Sequence, residues 1–226
     1  MIIDPSFSVP STRPTNAPFI VIEGINGGGK STLITGLIEW LSARGVPHLR
    51  SREPGGTPLG VTLRSLLLSS PEPIVPLSEL FLFLADRAHH VATVIEPALR
   101  DGITVICDRF FYSTIAFQGY GRGLDCPRLL EMNRLATNDL RPDLVILLDL
   151  PVEDALRRAQ HRNSADGAER DSFEAEELAF HERVRDGFLA LAKELPEPFL
   201  ILDARQEPEI LLKQASQAIS SLLRCD

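Results

Sequence analysis

The sequence predicts an α/β fold, a five-stranded parallel sheet with helices on both faces, and three observations carry that expectation. Five short extended-type runs, Phe19–Ile22, Val46–Ser51, Ile103–Cys107, Leu144–Leu148 and Phe199–Leu202, alternate with longer stretches whose apolar residues recur at helical spacing. Between the first run and the first helical stretch lies Gly24-Ile25-Asn26-Gly27-Gly28-Gly29-Lys30-Ser31, which fits the phosphate-cradling pattern G-x-x-x-x-G-K-[ST] and is followed by Thr32. Charged residues gather just past two of the other runs, Arg52 after the second and Asp108-Arg109 after the third. That is the sheet edge where open parallel sheets bind ligands.

Composition narrows the class. The 226 residues, 44% hydrophobic and 24% charged, suit one domain with a full core, expected over 19–226 after a Pro- and Ser-rich tail over 1–18. A formal net charge of -8 and a pI near 5.2 argue against a nonspecific grip on nucleic acid or anionic lipid, so any basic site must be local. The three cysteines, Cys107, Cys126 and Cys225, have no metal-ligand spacing and leave an odd number, which suits a reducing, cytoplasmic setting. The sequence offers neither a membrane-length apolar run nor a signal-peptide pattern at its start.

The first helix should carry Leu33, Ile34, Leu37, Ile38 and Leu41 on one face and stop near Gly45. After the second strand, Arg52-Glu53-Pro54-Gly55-Gly56 is either a plain turn with a solvated arginine or a ligand-facing cation. A short helix over Leu59–Leu68 and a long one over Leu77–Leu99, ending near Pro97 to Gly102, come next. Phe83 and Arg87 stand four apart on the long helix, so ring and guanidinium share a face that could stack on a base and donate to its edge. The third strand delivers Asp108-Arg109, and Ser113, Thr114, Phe117 and Gln118 follow at helical spacing. Gly119 to Gly123 reads as a loop, Asp125 as an N-cap and Pro127–Asn138 as a helix. A helix from Val152 to about Gln160 should give way to a polar flap over 161–172 whose basic residues, together with Arg157 and Arg158, could cover bound phosphates. Phe180, Val184, Phe188 and Leu191 mark the core stripe of a helix from about Phe173 to Leu195, and Pro208 opens a last amphipathic helix.

The chemistry of the cradle follows from its residue types. Glycines let backbone amides approach phosphate oxygens, and the new helix adds its positive dipole end. Lys30 would reach the β- and γ-phosphates, Ser31 would offer its hydroxyl to Mg²⁺, and Asp108 could hold the same ion or its water. Arg109 could clamp a phosphate with both arms or serve only in a structural ion pair.

Together these stretches resemble the thymidylate kinases, nucleoside monophosphate kinases built on the P-loop NTPase fold, from Pro18 to the end of the chain. The resemblance rests on Gly24–Ser31, Arg52-Glu53-Pro54-Gly55-Gly56-Thr57, Leu82-Phe83-Leu84-Ala85-Asp86-Arg87, and Asp108-Arg109 with Ser113-Thr114-Ile115-Ala116-Phe117-Gln118-Gly119. It implies ATP-dependent phosphorylation of dTMP to dTDP, with Mg²⁺, by a homodimer. It further implies ATP on Gly24 to Thr32 (Gly24, Ile25, Asn26, Gly27, Gly28, Gly29, Lys30, Ser31 and Thr32) and thymine stacked on Phe83 and hydrogen-bonded by Arg87. The acceptor phosphate falls to Arg52 and Arg109, and the rest of the substrate pocket to Pro54, Ser113, Thr114, Phe117 and Gln118.

Three positions depart from the family pattern. Asn26 replaces the acidic residue that faces the acceptor sugar, Phe117 replaces a common Tyr, and Ser172 stands where the flap would carry its arginine. Members with no arginine inside the P-loop supply one from the flap, which points here to Arg170 first and Arg162 second. A kinase for another small acceptor would leave Phe83, Arg87 and the Ser-Thr-Gln cluster without a purpose. A nucleotide-switch protein would need an Asn-Lys-x-Asp guanine signature, and Asn138-Asp139 sits in none.

Overall fold

The computed structural model describes residues 17–70, 72–166 and 173–223, with no side-chain description for 162–166. Its five parallel strands are β1 (Phe19–Glu23), β2 (His48–Arg52), β3 (Thr104–Asp108), β4 (Leu144–Asp149) and β5 (Phe199–Asp203), ordered β2-β3-β1-β4-β5. Every residue of β1 is buried, as a central strand covered on both faces requires. The chain's first two crossovers place β2 and β3 on one side of β1 and the third places β4 on the other, so the crevice at the carboxyl end of β1 is where the strand order reverses.

Helices α1 (Lys30–Ser42) and α9 (Pro208–Leu223) pack on each other, and α1 also lies against β1, β2 and β3. Elsewhere α2 (Pro58–Ser69), α3 (Pro76–His90) and α6 (Cys126–Thr137) lie side by side, while α8 (Leu178–Glu194) buries Phe180, Val184, Phe188 and Leu191 against the segment that follows β3. Asp125 caps α6, accepting from the Arg128 amide at 3.0 Å, and Gly45 beyond α1 takes φ +66°.

Three boundaries differ from the sequence expectation, each for a local reason. The long helix is not one of them: it ends at Arg100, inside the expected Pro97 to Gly102 window, with α3 passing through a π-helical turn, Val91–Ile95, into α4 (Glu96–Arg100). The widened turn lies just ahead of Pro97, where the missing N–H interrupts the ordinary ladder. Gly119 to Gly121 is not loop, because α5 (Phe111–Thr114) continues as a π-helical segment over Ile115–Gly121. The helix expected to stop near Gln160 runs on as α7 (Val152–Asp166), since no Gly or Pro interrupts it before Gly167. Conversely α8 starts at Leu178 rather than Phe173, because the Phe173 ring is drawn toward Phe83 and Phe117, with centroids 6.1 and 5.5 Å away.

Candidate active site

The loop Gly24–Gly29 leaves β1 and hands directly to α1, whose N-cap Gly29 is left-handed at φ +89°. Only glycine fits at 27: φ is +81°, and a Cβ there would stand 2.2 Å from the Ala155 carbonyl oxygen. Lys30 is buried at the loop's base, its Nζ donating to the carbonyls of Gly24 and Ile25 at 3.0 Å each.

Across from this loop β3 ends at Asp108, which is Cα-paired with Ile22 on one side and Arg52 on the other. Arg109 then adopts φ +71°, rare for a residue with a side chain, and two neighbours hold it there. Its amide donates to Ile22 O at 3.0 Å, and the next amide, of Phe110, donates to Glu23 Oε1 at 2.9 Å. Glu23 also accepts from the Ser113 hydroxyl at 2.6 Å and the Ser113 amide at 3.2 Å. Burial pushes the Glu23 carboxyl up, opposed by Arg109, by the Ser113 and Phe110 hydrogen bonds and by Lys30. Sequence reading passed over Glu23; a carboxylate ending a wholly apolar strand was the available clue.

Arg109 therefore leans back over the loop. Its Nη1 donates to Gly24 O and Ser113 Oγ, both at 2.9 Å, and its Nη2 to Asn26 Oδ1 at 2.6 Å. Asn26 in turn donates toward Glu174 Oε1 at 3.5 Å, and the Arg109 guanidinium stands 5.1 Å over the Phe117 ring. Two cavities meet at this point. The larger, about 740 Å³, is lined by Lys30, Ser31, Arg52, Asp108, Arg109 and Arg158 among others. The narrower, about 70 Å³, is lined by Phe83, Arg87, Ser113, Thr114, Phe117 and Gln118, with Pro54 and Phe173 also on its wall. Asn26, Glu53, Arg64 and Arg109 line both. A third cavity, about 350 Å³, opens beyond Gly29 and Thr32 and is bounded by Arg158, Arg205 and Gln206.

In the narrow pocket Arg87 is 1% exposed and braced through two of its three guanidinium nitrogens. Its Nε donates to Glu53 Oε2 at 2.7 Å, and its Nη1 to Thr114 Oγ1 at 2.8 Å and Asn133 Oδ1 at 2.6 Å. Gln118 lies beside it, its Nε2 donating to Glu79 Oε1 at 2.8 Å. So two residues expected to line a pocket also serve the wall itself, Thr114 by accepting from Arg87 and Gln118 by donating to Glu79.

The set Ser31 and Asp108 suits a hard divalent cation that keeps phosphate and water ligands. Both line the large cavity, and Asp108 Oδ1 is a buried acceptor with no hydrogen-bond partner among the described residues. No cluster of three His, Cys, Asp or Glu that could enclose a metal occurs among them.

Of the expected flap cations, Arg170 lies outside the described residues, as does the side chain of Arg162. Arg157 is spent on Asp154 at 2.7 Å, whereas Arg158 reaches the large cavity and donates to Ala204 O at 3.0 Å. Arg64, Asn133 and Glu174 were absent from the sequence-derived site. They come from α2, α6 and the turn before α8, and only the assembled fold brings them together.

Comparison with known proteins places the whole chain rather than its individual side chains. A family model described as Thymidylate kinase matches residues 22–215. The chain is 52% identical over 209 residues to a thymidylate kinase of Desulfovibrio desulfuricans, covering 91% of this chain and 96% of that protein. It is 47% identical over 191 residues to one of Carboxydothermus hydrogenoformans, covering 84% and 91%. The crystal structure of thymidylate kinase from Ehrlichia chaffeensis superposes with a TM-score of 0.70 at 33% identity, covering 90% of this chain and 98% of that one.

Proposed function

Because the chain belongs to the thymidylate kinase family and phosphorylates dTMP to dTDP with ATP, we propose that the two cavities meeting at Asn26 and Arg109 are its donor and acceptor sites. That junction is the observation that carries the assignment, since in-line transfer needs two anions brought end to end across a few cations. The ATP phosphates lie on Gly24 to Ser31 with Lys30 beneath, and the donor base reaches toward the cavity at Thr32 and Arg205. Thymine enters the narrow pocket against Phe83, and the acceptor phosphate faces Arg52 and Arg109.

In the reaction the bond from the γ-phosphorus to the β-phosphate bridging oxygen breaks, releasing ADP, as a bond forms to an oxygen of the dTMP phosphate. That nucleophile needs no general base: the second pKa of a phosphate monoester is about 6, so the oxygen is already ionised near neutral pH. The protein's task is alignment and charge. Lys30, Arg109 and Arg158 surround the moving group, and Ser31 and Asp108 would hold Mg²⁺, which would supply charge neutralisation at the phosphate oxygens. To Arg170, or failing it Arg162, we assign the arginine that the P-loop lacks.

We also read the enzyme as a cytoplasmic homodimer. Leu77 and Phe81, 54% and 52% exposed, continue along α3 through exposed Ala85 and Ala88, with exposed Val61 and Leu135 on the adjoining α2 and α6. Such an apolar face suits a second copy. Among the described residues no helix is long and apolar enough to cross a membrane.

The test is ADP release measured with each deoxynucleoside monophosphate in turn, with and without Mg²⁺. ADP should equal dTDP formed, and dTMP should exceed dCMP in kcat/KM by at least about 100-fold, since unmatched polar groups in a built pocket are costly. ADP release that ignores the acceptor would overturn the reading.

A further inference from the structure

The described hydrogen bonds of Arg87 involve Nε and Nη1 alone, so its Nη2 has no protein partner among the described residues, on a side chain that lines the narrow pocket. A guanidinium is planar, and fixing Nε and Nη1 fixes where Nη2 points. Of the three groups that fix it, Glu53 alone carries a charge, and Glu53 sits on the loop after β2 rather than on a helix.

What holds Glu53 is a buried histidine. Oε1 of Glu53 meets His90 Nδ1 at 2.9 Å, and His90 Nε2 meets Ser51 Oγ at 2.6 Å. With a proton on Nδ1, the nitrogen that faces the carboxylate, Nε2 is left to meet the serine hydroxyl. Loop and ring also touch closely: a Cβ on Gly56 would stand 2.3 Å from Nε2, so the chain after Glu53 rests on the imidazole. His90 is 0% exposed and lines neither cavity, so it can influence the substrate only through what it holds.

We propose that His90, acting through Glu53, is a positioning residue that sets the direction of Arg87 and thereby the choice of nucleobase. The proposal rests on the reading that Arg87 meets the base. Without the Nδ1 bond, Glu53 Oε1 becomes a buried carboxylate oxygen with a missing donor, and the cheapest relief is rotation of Glu53 away from Arg87.

Two substitutions separate the ring's two nitrogens. In His90→Asn the amide nitrogen falls near the place of Nδ1 and can still donate to Glu53; in His90→Gln it falls near Nε2 and serves Ser51 instead. Steady-state kinetics with dTMP, dCMP and ATP would be read beside thermal melts, with Arg87→Ala as the reference. His90→Gln should raise the dTMP KM roughly tenfold and cut the dTMP-over-dCMP ratio of kcat/KM by a similar factor, with the ATP KM unchanged within about twofold. His90→Asn should recover most of both. Losses in the two variants that simply follow their melting temperatures, or an unaltered ratio in His90→Gln while Arg87→Ala loses it, would overturn the positioning role. An unaltered ratio in Arg87→Ala would instead overturn the assignment of Arg87 to the base, and the proposal with it.

Discussion

Between Gly24 and Ser31 the proposed donor half of the cleft is one unbroken stretch of chain, whereas the proposed acceptor half draws Glu53, Phe83, Arg87, Thr114 and Asn133 from the β2–α2 loop, α3, α5 and α6. In the first, backbone amides and a helix end supply the positive field, and side chains other than Lys30 and Ser31 are mostly absent. In the second, almost every contact is between side chains, and buried charges must be paired for the pocket to keep its shape. A contiguous cradle tolerates changes around it; a pocket braced by an ion network transmits them. Substitutions in the donor half should therefore fall on turnover, and those in the acceptor half on dTMP affinity or on stability.

The largest effect belongs to the donor half. Lys30→Ala removes the cation at the loop's base and should lower kcat at least about a thousandfold, with native circular dichroism, since charge stabilisation in a preorganised site is worth several kcal/mol. Near wild-type turnover would break the division at its strongest point.

Arg109→Ala acts on the joint between the halves. It removes bonds to Gly24, Asn26 and Ser113, yet its proposed ligand is the acceptor phosphate, so KM for dTMP should rise roughly 10- to 100-fold and KM for ATP far less. Separate titration of each nucleotide would show it, and equal losses would mean that Arg109 belongs to the cradle.

How far the sequence disclosed these halves follows the same division. All five strands were legible within two residues at either end, because β-type runs and the turns between them are local features. The cradle was legible for the same reason. Missing from the sequence were the partners of the conspicuous residues: Glu53 and Arg87 stand 34 positions apart and Arg87 and Asn133 46, spacings that no local pattern records. The π-helical segments were missed too, since each depends on what the helix must accommodate, a proline at 97 in one case and packing against α8 in the other.

The smallest expected effect is one of stability. Asp86 Oδ1 accepts from the Gly55 amide at 3.3 Å, while its buried Oδ2 has no partner among the described residues. Burial, with the nearby Glu53 charge, pushes its carboxyl up to about 6. The folded chain thus holds a proton that the unfolded chain has already released, so this group's contribution is largest below the ordinary carboxylate pKa and is lost as pH rises through about 6. Asp86→Asn has no proton to lose and should gain in melting temperature relative to wild type between pH 4 and pH 7, by about a few degrees. A difference that does not change with pH would contradict this.

Calorimetric titration of Phe83→Ala with dTMP and with ATP tests the division most directly. Phe83 lines the narrow pocket and not the large one, so under the proposed assignment its loss removes a stacking surface for one nucleotide only. Stacking of a base on an aromatic side chain is worth about 1 to 3 kcal/mol, so the Kd for dTMP should rise roughly 5- to 100-fold while that for ATP stays within about twofold. An unchanged affinity for dTMP, or an equal fall for both nucleotides, would contradict the account.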